Sequence, residues 1–553
     1  MSSSNRRSFL QQTAGAGLAY AASSSFGRFL FGQAASADAN APSRIFIDSR
    51  RTIAPISHNL FGSFLEHLGR AIYQGIYDPG NKLSDANGFR KDVLQEIKTM
   101  GVPIIRYPGG NFVSGYNWLD GVGPRKDRPV VLDKAWNSLD SNQFGTNEFM
   151  TWCKLVGTEP LMGLNLGTGT PEQAAALLEY CNVDKGTEWS ELRRKHGYAQ
   201  PYHVKHWCMG NEMDGPWQIG HMSATEYGMK AQDTARQMRM VDPGQLQLIA
   251  CGSSGPFMPT YLEWDREVLE QCYDYVDGLS LHRYFQNSEQ QTGGNSEVFV
   301  AQNLSMDRQI AETLAVCDLV RGHKRSPKKL WLSFDEWNVW YRQLDGDGGR
   351  KEAPHLLEEI YNLEDALLVG GLVITLLRNA DRVKIACLAQ LVNVIAPIMT
   401  NENGLFRQTI YYPYNWALQY ARGNVLNLLV ESPTYEVPGE RGFRARDRST
   451  GDKVAVPYID AAATLNPENG QTSLFILNRD LAKPRQIEVV WEDKAPSQIS
   501  LSQVLTGDDL QAVNGFDAPE RVKPQAFDKP NTSNGKTSFE VPPRSYTVLQ
   551  WSA

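Results

Sequence analysis

The sequence predicts an α/β fold: a (β/α)8 TIM barrel followed by a second, all-β C-terminal domain, a β-sandwich of jelly-roll-like type. Three observations predict it. Between residues 55 and 423, short apolar runs alternate with helical stretches eight times. The runs are almost continuously apolar, which is typical of parallel strands covered on both faces. After residue 424 the helical stretches stop and short alternating strands with turn residues follow, which indicates antiparallel sheets.

Each of the eight apolar runs ends in polar or glycine-rich residues. The runs are NLFGSFLEH (59–67), VPIIRYPGGN (102–111), PLMGLNLGTG (160–169), VKHWCMGNE (204–212), LQLIACGSSG (246–255), GLSLHRYF (278–285), KLWLSFDEW (329–337) and KIACLAQLVN (384–393). Helix signals lie between them, since Thr170 and Ser223 are each followed three residues later by Gln173 or Glu226, the pattern of a capping box. A doubly wound open sheet is the alternative arrangement of the same units.

The strands of the second domain are short and alternate apolar with polar residues. They include TSLFILNRD (472–480), QIEVVWED (486–493) and SYTVLQW (545–551). A similar strand, SRIFID (43–48), precedes the barrel. We therefore predict an N-terminal strand at 44–54 that joins the sandwich, a barrel at 55–423 and a sandwich at 424–553.

The first 37 residues have the features of a targeting segment. Arg6 and Arg7 precede a weakly apolar run, and the small residues ASA (35–37) follow it. This pattern resembles a bacterial twin-arginine signal peptide and predicts export to the periplasm or the outside. A disordered, arginine-bearing N-terminus is the alternative. No later stretch reaches about 18 uninterrupted apolar residues, so we expect no membrane span.

Charge and cysteine content exclude several classes of protein. The net charge of −7 does not attract nucleic acid or anionic lipid. None of the seven cysteines forms a CxxC pair, which argues against zinc and redox motifs. Most of them lie in apolar runs, so we expect buried free thiols, although a single disulfide bond stays possible.

Two glutamates lie where strands of the predicted barrel end. Glu212 closes the fourth run, within MGNEMDGPW, and Glu336 lies at the end of the seventh, within LSFDEW. The carboxyl ends of barrel strands meet on one face, where active sites form. Two carboxylates on one rim can flank a glycosidic bond, one as acid/base and one as nucleophile. The structural alternative is that each glutamate accepts hydrogen bonds from nearby backbone donors.

The other strand ends are also unusually polar, which suits a hydroxyl-rich ligand such as a sugar. These residues are Glu66, His67, Arg106, Asn111, His282, Tyr284, Gln390 and Asn393. Five tryptophans follow strand ends or lie in the loops beyond them: Trp118, Trp136, Trp217, Trp337 and Trp340. Aromatic faces pack on sugar rings, but each of these tryptophans could equally belong to the core.

Six long motifs carry a resemblance to a known family. They are FGSFLEHLGRAIYQGIYDP, RYPGGNFVSGYNWLDGVGP, WCMGNEMDGPWQIGH, LSLHRY, FDEWNVWY and AQLVNVIAPIMT. Together they make the chain, from about residue 44 to its end, similar to the α-L-arabinofuranosidases of glycoside hydrolase family 51. The resemblance implies a barrel with a β-sandwich, an exo-acting retaining mechanism on terminal α-L-arabinofuranosyl groups, and no metal or other cofactor. It also implies a homo-oligomer, commonly a hexamer.

The resemblance assigns a role to each motif residue. Glu212 matches the acid/base, Glu336 the nucleophile, and Asn211 the residue that bonds the sugar 2-hydroxyl. The other matched positions line or cover the pocket for the terminal arabinofuranose: Glu66, Arg106, Asn111, Trp136, His282, Tyr284 and Gln390. No matched position departs from the family pattern.

Three other functions remain open at this stage. The first is another retaining glycosidase on the same barrel, such as an endo-glucanase or a xylosidase. The second is a non-catalytic carbohydrate-binding protein, which would be expected to lack one of the two glutamates. The third is a metal-dependent hydrolase using His203, His206 and His221; the first two lie three apart in an apparent strand, so their side chains are expected on opposite faces.

Overall fold

The structure, a computed structural model, describes residues 33–36, 41–341, 349–438, 453–496 and 498–552. Most of the predicted targeting segment therefore lies outside the described residues. Within that segment, Gln33–Ser36 forms a short strand parallel to Leu429–Pro438. No described helix is long and apolar enough to cross a membrane.

The centre of the molecule is a closed barrel of eight parallel strands. In chain order, and named below as the first to eighth barrel strands, they are Gly62–Phe64, Ile104–Tyr107, Glu159–Gly163, His206–Met209, Gln247–Ala250, Gly278–Phe285, Trp331–Val339 and Val383–Leu388. Each strand pairs with the next, and Cys387 opposite Gly62 closes the ring. The predicted barrel is confirmed, and the doubly wound open sheet is wrong.

Helices follow the strands and cover the barrel. They are Lys91–Met100, Thr146–Val156, Pro171–Asn182, Glu188–Lys195, Ala224–Val241, Glu263–Cys272, Ser296–Phe299, Asn303–Lys324, Leu363–Arg378 and Tyr411–Tyr420. The two predicted capping boxes are confirmed, because the Thr170 and Ser223 side chains accept hydrogen bonds from the Gln173 and Glu226 backbone N–H groups. All seven cysteines are free and buried, as expected.

Fourteen further described strands form two seven-stranded sheets, while Val131–Asp133 with Ser138–Asp140 and Ile398–Asn401 with Gly404–Arg407 form two separate two-stranded sheets. The first contains, in spatial order, Gln33–Ser36, Leu429–Pro438, Ser43–Ile47, Arg485–Trp491, Lys536–Val541 and Thr532–Ser533, with Lys453–Pro457 beside Leu429–Pro438. The second contains Gln525–Ala526, Gln498–Leu505, Ser545–Ser552, Thr472–Asn478, Ile459–Leu465, Asn424–Leu426 and Thr52–Pro55. Of the described strands that precede the barrel, Gln33–Ser36 and Ser43–Ile47 thus join the first sheet and Thr52–Pro55 joins the second. Ile45 and Ile487 of one sheet share a hydrophobic core with Leu474 and Leu549 of the other.

A buried ion cluster joins the barrel to the sandwich. Asp460, on the sandwich strand Ile459–Leu465, pairs with Arg378 at the end of a barrel helix and with Arg479. Arg378 also contacts Asp307 at 3.0 Å, and Asn303 donates a hydrogen bond to Asp460 at 3.0 Å. One aspartate therefore balances two guanidinium groups where the domains meet.

Asp460→Asn is expected to lower the free energy of unfolding by about 3–5 kcal/mol, because it removes the carboxylate that pairs with the fully buried Arg479 guanidinium. Burial raises the pKa of the Asp460 carboxyl, but Arg378 and Arg479 outweigh it and hold the pKa at about 2, below the usual 3.8. The stabilisation should therefore be present above the usual value and be lost as the pH falls through about 2.

Urea unfolding of both proteins at neutral and acid pH measures this difference. Glu436→Gln is the control, because the Glu436–Lys453 pair is exposed and such pairs contribute about 0–1 kcal/mol. Equal stability losses in the two variants would show that the interface cluster contributes no more than a surface pair.

Candidate active site

The Glu336 carboxylate is buried near the end of the seventh barrel strand. Its Oε1 accepts a hydrogen bond from Arg106 Nη1 at 2.7 Å, and its Oε2 accepts one from the Tyr284 hydroxyl at 2.7 Å. Burial raises the pKa of this carboxyl, but the charges of His282 and Arg106 and these hydrogen bonds outweigh it, so the pKa lies below the usual 4.5. Glu336 is therefore ionised at neutral pH, the state in which a carboxylate can act as a nucleophile.

Glu212 lies just beyond the fourth barrel strand, in the left-handed backbone region with φ of 43°. Trp217 Nε1 donates a hydrogen bond to its Oε2 at 2.6 Å, and His282 Nδ1 lies 2.9 Å from its Oε1. The Glu212 side chain is 13% exposed. It can therefore contact a molecule that enters from the solvent.

The two glutamates face each other across a short gap. One oxygen of Glu212, one oxygen of Glu336 and a ring nitrogen of His282 all lie within 4.8 Å of one another. Carboxyl groups about 5–5.5 Å apart suit a retaining glycosidase, whereas inverting enzymes separate them by about 6.5–9.5 Å to admit a water molecule. The separation of Glu212 and Glu336 therefore favours the retaining arrangement over the inverting one.

His282 links both glutamates, because the same Nδ1 lies 3.7 Å from Glu336 Oε2. Burial lowers the pKa of His282, but the Glu336 charge and the Glu212 hydrogen bond outweigh it, and the pKa lies above the usual 6.5. The ring therefore takes up a proton more readily than a free histidine. Its positive charge then reduces the repulsion between the two neighbouring carboxylates.

Arg106, from the second barrel strand, connects Glu336 to the segment that carries Glu212. Its side chain is fully buried, and Nη1 bonds Glu336 while Nη2 donates to Asn211 Oδ1 at 2.7 Å. Asn211 in turn donates to Asn111 Oδ1 at 3.2 Å. One guanidinium thus orients Glu336 and the residue directly before Glu212 at the same time.

Glu66 is a second buried carboxyl group close to Glu336. Its Oε1 accepts hydrogen bonds from the Phe112 backbone N–H at 2.9 Å and from Trp136 Nε1 at 3.0 Å, and Gln390 Nε2 lies 3.4 Å from Oε2. Burial, followed by the charge of Glu336, raises the pKa of Glu66 to about 8. This carboxyl is therefore mostly neutral at pH values below that and can offer a proton to a hydroxyl group.

Gly109 and Gly110 allow the backbone to approach both carboxylates. A Cβ at Gly109 would lie 2.9 Å from Glu66 Cγ, and one at Gly110 would lie 2.7 Å from Glu336 Oε1. Real Cβ atoms do not tolerate contacts this short. The turn after the second strand can therefore lie against both carboxylates because Gly109 and Gly110 carry no side chains.

Gly110→Ala is expected to lower kcat by about 10²-fold, the effect of displacing a catalytic group by about 1 Å, because the new methyl group collides with Glu336. Gly322→Ala is the matched control, since a Cβ there meets nothing within 4 Å. Initial rates and thermal unfolding of both variants measure the effect. Wild-type kcat in Gly110→Ala would mean that the glycine does not set the position of Glu336.

The structure brings the ten predicted site residues into two neighbouring polar groups. One contains Glu212, Glu336, Arg106, Asn111, Asn211, His282 and Tyr284, and the other contains Glu66, Trp136 and Gln390. The groups meet at Gly109 and Gly110, where the backbone approaches Glu66 and Glu336. Trp217 and the Phe112 backbone N–H also take part, and the sequence did not single them out for these roles. The sequence gives only a weak signal for such roles, because a tryptophan that follows a strand is a core residue as often as it is a ligand contact. Trp118 and Trp337 are indeed buried in the core. By contrast, Trp217 is 46% exposed and lies at the rim.

The three histidines of the metal-dependent alternative do not come together. His206 lies 3.4 Å from Glu159, which begins the third strand, at the end of the barrel opposite the glutamates. His221 Nδ1 lies 3.3 Å from the Gln218 carbonyl oxygen. Among the described residues, no group of three or more possible metal ligands includes His203, His206 or His221.

Comparison with known domain families identifies both halves of the chain. Residues 96–299 match the family described as the alpha-L-arabinofuranosidase 1 domain, and residues 335–545 match the alpha-L-arabinofuranosidase C-terminal domain. The two matched segments include the Glu212 and Glu336 motifs, one in each.

Characterised relatives are similar over nearly their whole length. The intracellular exo-α-(1→5)-L-arabinofuranosidase 1 of Bacillus subtilis is 46% identical, with 92% of this chain and 98% of that protein covered. The exo-α-(1→6)-L-arabinofuranosidase of Bifidobacterium longum is 43% identical, with 92% and 97% covered.

Solved structures agree with the sequence relatives. A family 51 α-L-arabinofuranosidase from Bifidobacterium longum superposes with a TM-score of 0.86 at 39% identity, covering 92% of this chain and all of that one. The α-L-arabinofuranosidase from Thermotoga maritima, solved with arabinose, gives a TM-score of 0.81 at 34% identity, with 92% of this chain and 100% of that chain covered.

These comparisons also correct one prediction. The relatives from Bacillus subtilis and Acetivibrio thermocellus are both named intracellular, so the predicted export through the twin-arginine route, to the periplasm or the outside, is wrong. The prediction depended on a short motif that a receptor reads as an address, and a few arginines and small residues in an N-terminal tail can match it by composition.

The barrel, the paired glutamates and full-length similarity at this level of identity lead to one conclusion: the chain belongs to the α-L-arabinofuranosidases of glycoside hydrolase family 51.

Proposed function

We propose that this protein is an exo-acting, retaining α-L-arabinofuranosidase that releases terminal non-reducing α-L-arabinofuranosyl groups from arabinose-containing oligosaccharides or polysaccharides. The observation that carries the proposal is the approach of Glu212 and Glu336 to within 4.8 Å. In this proposal residues 55–423 are the catalytic unit, and the N-terminal strands at 44–54 and residues 424–553 form the accessory sandwich.

In the first half of the reaction, the ionised Glu336 attacks the anomeric carbon of the sugar. The bond from that carbon to the leaving oxygen breaks, and Glu212 transfers its proton to that oxygen. Glu336 becomes a neutral glycosyl ester. In the second half, Glu212 takes a proton from water as the water oxygen attacks the same carbon, and the ester is cleaved with net retention of configuration.

The remaining residues hold the terminal sugar in place. Asn211 is oriented by Arg106 and bonds the hydroxyl next to the anomeric carbon. Glu66, tied to Gln390 and Trp136, faces the far end of the ring, where its neutral carboxyl can donate to a hydroxyl. Because directed polar groups converge on the two glutamates, we expect the site to bind one terminal furanose and not a long stretch of polysaccharide.

The distinguishing experiment compares three 4-nitrophenyl glycosides: α-L-arabinofuranoside, β-D-xyloside and β-D-glucoside. Rapid release of nitrophenol from the first alone supports the proposal. Cleavage of the xyloside or glucoside in preference would replace it with another retaining glycosidase, and inactivity on all three would favour a carbohydrate-binding protein.

The linkage preference and the assembly state are separate parts of the proposal. The relatives include one named for (1→5) and one named for (1→6) linkages, so product analysis on both disaccharides is needed. Homo-oligomerisation, as a hexamer, follows from the family resemblance, and light scattering of the purified protein measures it. A monomer in solution would contradict that part without affecting the reaction.

A further inference from the structure

The seventh barrel strand is irregular at the nucleophile. Opposite the sixth strand, Leu281 pairs with Phe334, but the next residue, His282, pairs with Glu336, so Asp335 is passed over. Successive side chains of a regular strand point to opposite faces, and a bulge re-aims one of them. Here Asp335 and Glu336, although adjacent, both approach the guanidinium of Arg106.

Asp335 is a buried neighbour of Arg106. It is 2% exposed, and its Oδ2 is 3.8 Å from Arg106 Nε. Arg106 Nε has no hydrogen-bond acceptor among the described residues. Ser333 donates a hydrogen bond to Asp335 Oδ1, and the Cys208 thiol also bonds this carboxylate. One guanidinium is therefore placed between two carboxylates.

The proposed reaction changes the charge of only one of these carboxylates. When Glu336 forms the glycosyl ester, its negative charge disappears while Arg106 stays positive and fully buried. A buried charge without a counter-ion is strongly disfavoured. Asp335 takes no part in bond formation, so its charge can remain throughout the cycle.

We propose that Asp335 is the permanent counter-ion of Arg106, which balances the guanidinium while Glu336 is a neutral ester and thereby keeps Glu336 available as a nucleophile in the free enzyme. This inference rests on the proposed function. Asp335 acts through Arg106 and is a positioning residue. Without it, Arg106 would pair more tightly with Glu336 and oppose formation of the ester.

The acid limb of a pH profile depends on the charged and titratable groups that face Asp335 and Glu336. Asp335 faces Arg106, Glu336 and the thiols of Cys208, Cys251 and Cys387, whose pKa values burial raises. These thiols are neutral at working pH. Glu336 is faced in addition by Glu66, Glu212, His282 and Tyr284. Replacing Asp335 by a neutral residue therefore changes one charge next to Arg106 and Glu336.

The test is Asp335→Asn, which removes the charge and keeps the shape. We expect kcat/KM on 4-nitrophenyl α-L-arabinofuranoside to fall by at least about tenfold, since this parameter reports formation of the ester. The acid limb of its pH profile should move down by about one pH unit, because Glu336 loses a negative neighbour. With 2,4-dinitrophenyl α-L-arabinofuranoside, the initial burst of dinitrophenolate that accompanies formation of the ester should be smaller than in the wild type.

Ser333→Ala is the matched control, because it removes a hydrogen bond to Asp335 but leaves the charge. Its acid limb should stay where the wild-type limb lies. If the wild-type enzyme is active, an unchanged acid limb in folded Asp335→Asn overturns this inference alone. If the wild type is itself inactive on arabinofuranosides, it is the proposed function that fails.

A second variant keeps the test decisive if Asp335→Asn does not fold. Asp335→Ala leaves space for a small molecule, and formate and formamide have nearly the same shape but different charge. Recovery of kcat/KM by formate and not by formamide supports the counter-ion role. Equal recovery by both molecules, or by neither, contradicts it.

Discussion

Glu336→Ala is expected to lower kcat on 4-nitrophenyl α-L-arabinofuranoside by about 10⁴–10⁶-fold, the order of loss when a catalytic nucleophile is removed. Without this carboxylate the ester cannot form. Glu336 is also the point where the Arg106 and Tyr284 hydrogen bonds converge, so no neighbouring carboxylate can take its place in the same geometry. Steady-state release of nitrophenol measures the loss.

Added azide distinguishes a lost nucleophile from a damaged site. In Glu336→Ala, azide can enter the space left by the carboxylate and attack the anomeric carbon directly, giving the β-arabinofuranosyl azide, which is inverted. Glu436→Ala, at an exposed surface pair, is the control and should keep wild-type activity. An α-configured azide from Glu336→Ala would mean that another residue still forms a covalent intermediate.

Glu212→Ala is expected to lower kcat/KM by about 10²–10⁴-fold on substrates with poor leaving groups, the contribution of general acid catalysis. The loss should be small for 2,4-dinitrophenyl α-L-arabinofuranoside, because dinitrophenolate leaves without a proton. The second step still needs a base to activate water, so the ester should accumulate in this variant.

Azide needs no general base, so it should rescue Glu212→Ala and give the α-arabinofuranosyl azide with retained configuration. Trp217→Phe tests this hydrogen bond separately, because it removes the N–H that bonds Glu212 Oε2 but keeps an aromatic ring at the rim. A loss in Glu212→Ala that is equal for good and poor leaving groups would contradict the acid/base role.

The sequence could predict the barrel because each of its units carries its own signal. The apolar runs report burial on both faces, and Thr170 and Ser223 mark helix starts through local hydrogen bonds. Strand ends of a closed barrel lie on one face by topology. The polar residues that end separate runs could therefore be expected to meet, although they are far apart in the chain.

The local geometry that sets the positions and pKa values of the site residues could not be predicted from the sequence. The bulge that lets the Asp335 and Glu336 side chains approach the same guanidinium is a property of strand pairing and not of composition. The raised pKa of Glu66 depends on burial and on the charge of Glu336, which lies 270 positions later in the chain. The close approach of Gly110 to Glu336 likewise depends on how the turn after the second barrel strand packs against the seventh strand.

The most direct test of the central claim is to trap the intermediate. Glu212→Ala is mixed with 2,4-dinitrophenyl α-L-arabinofuranoside, quenched in acid, digested and examined by peptide mass spectrometry. The account predicts one added pentosyl group on the peptide that contains Glu336. A pentosyl group on Glu66 or another carboxylate, or turnover of this substrate without any covalent species, would contradict it.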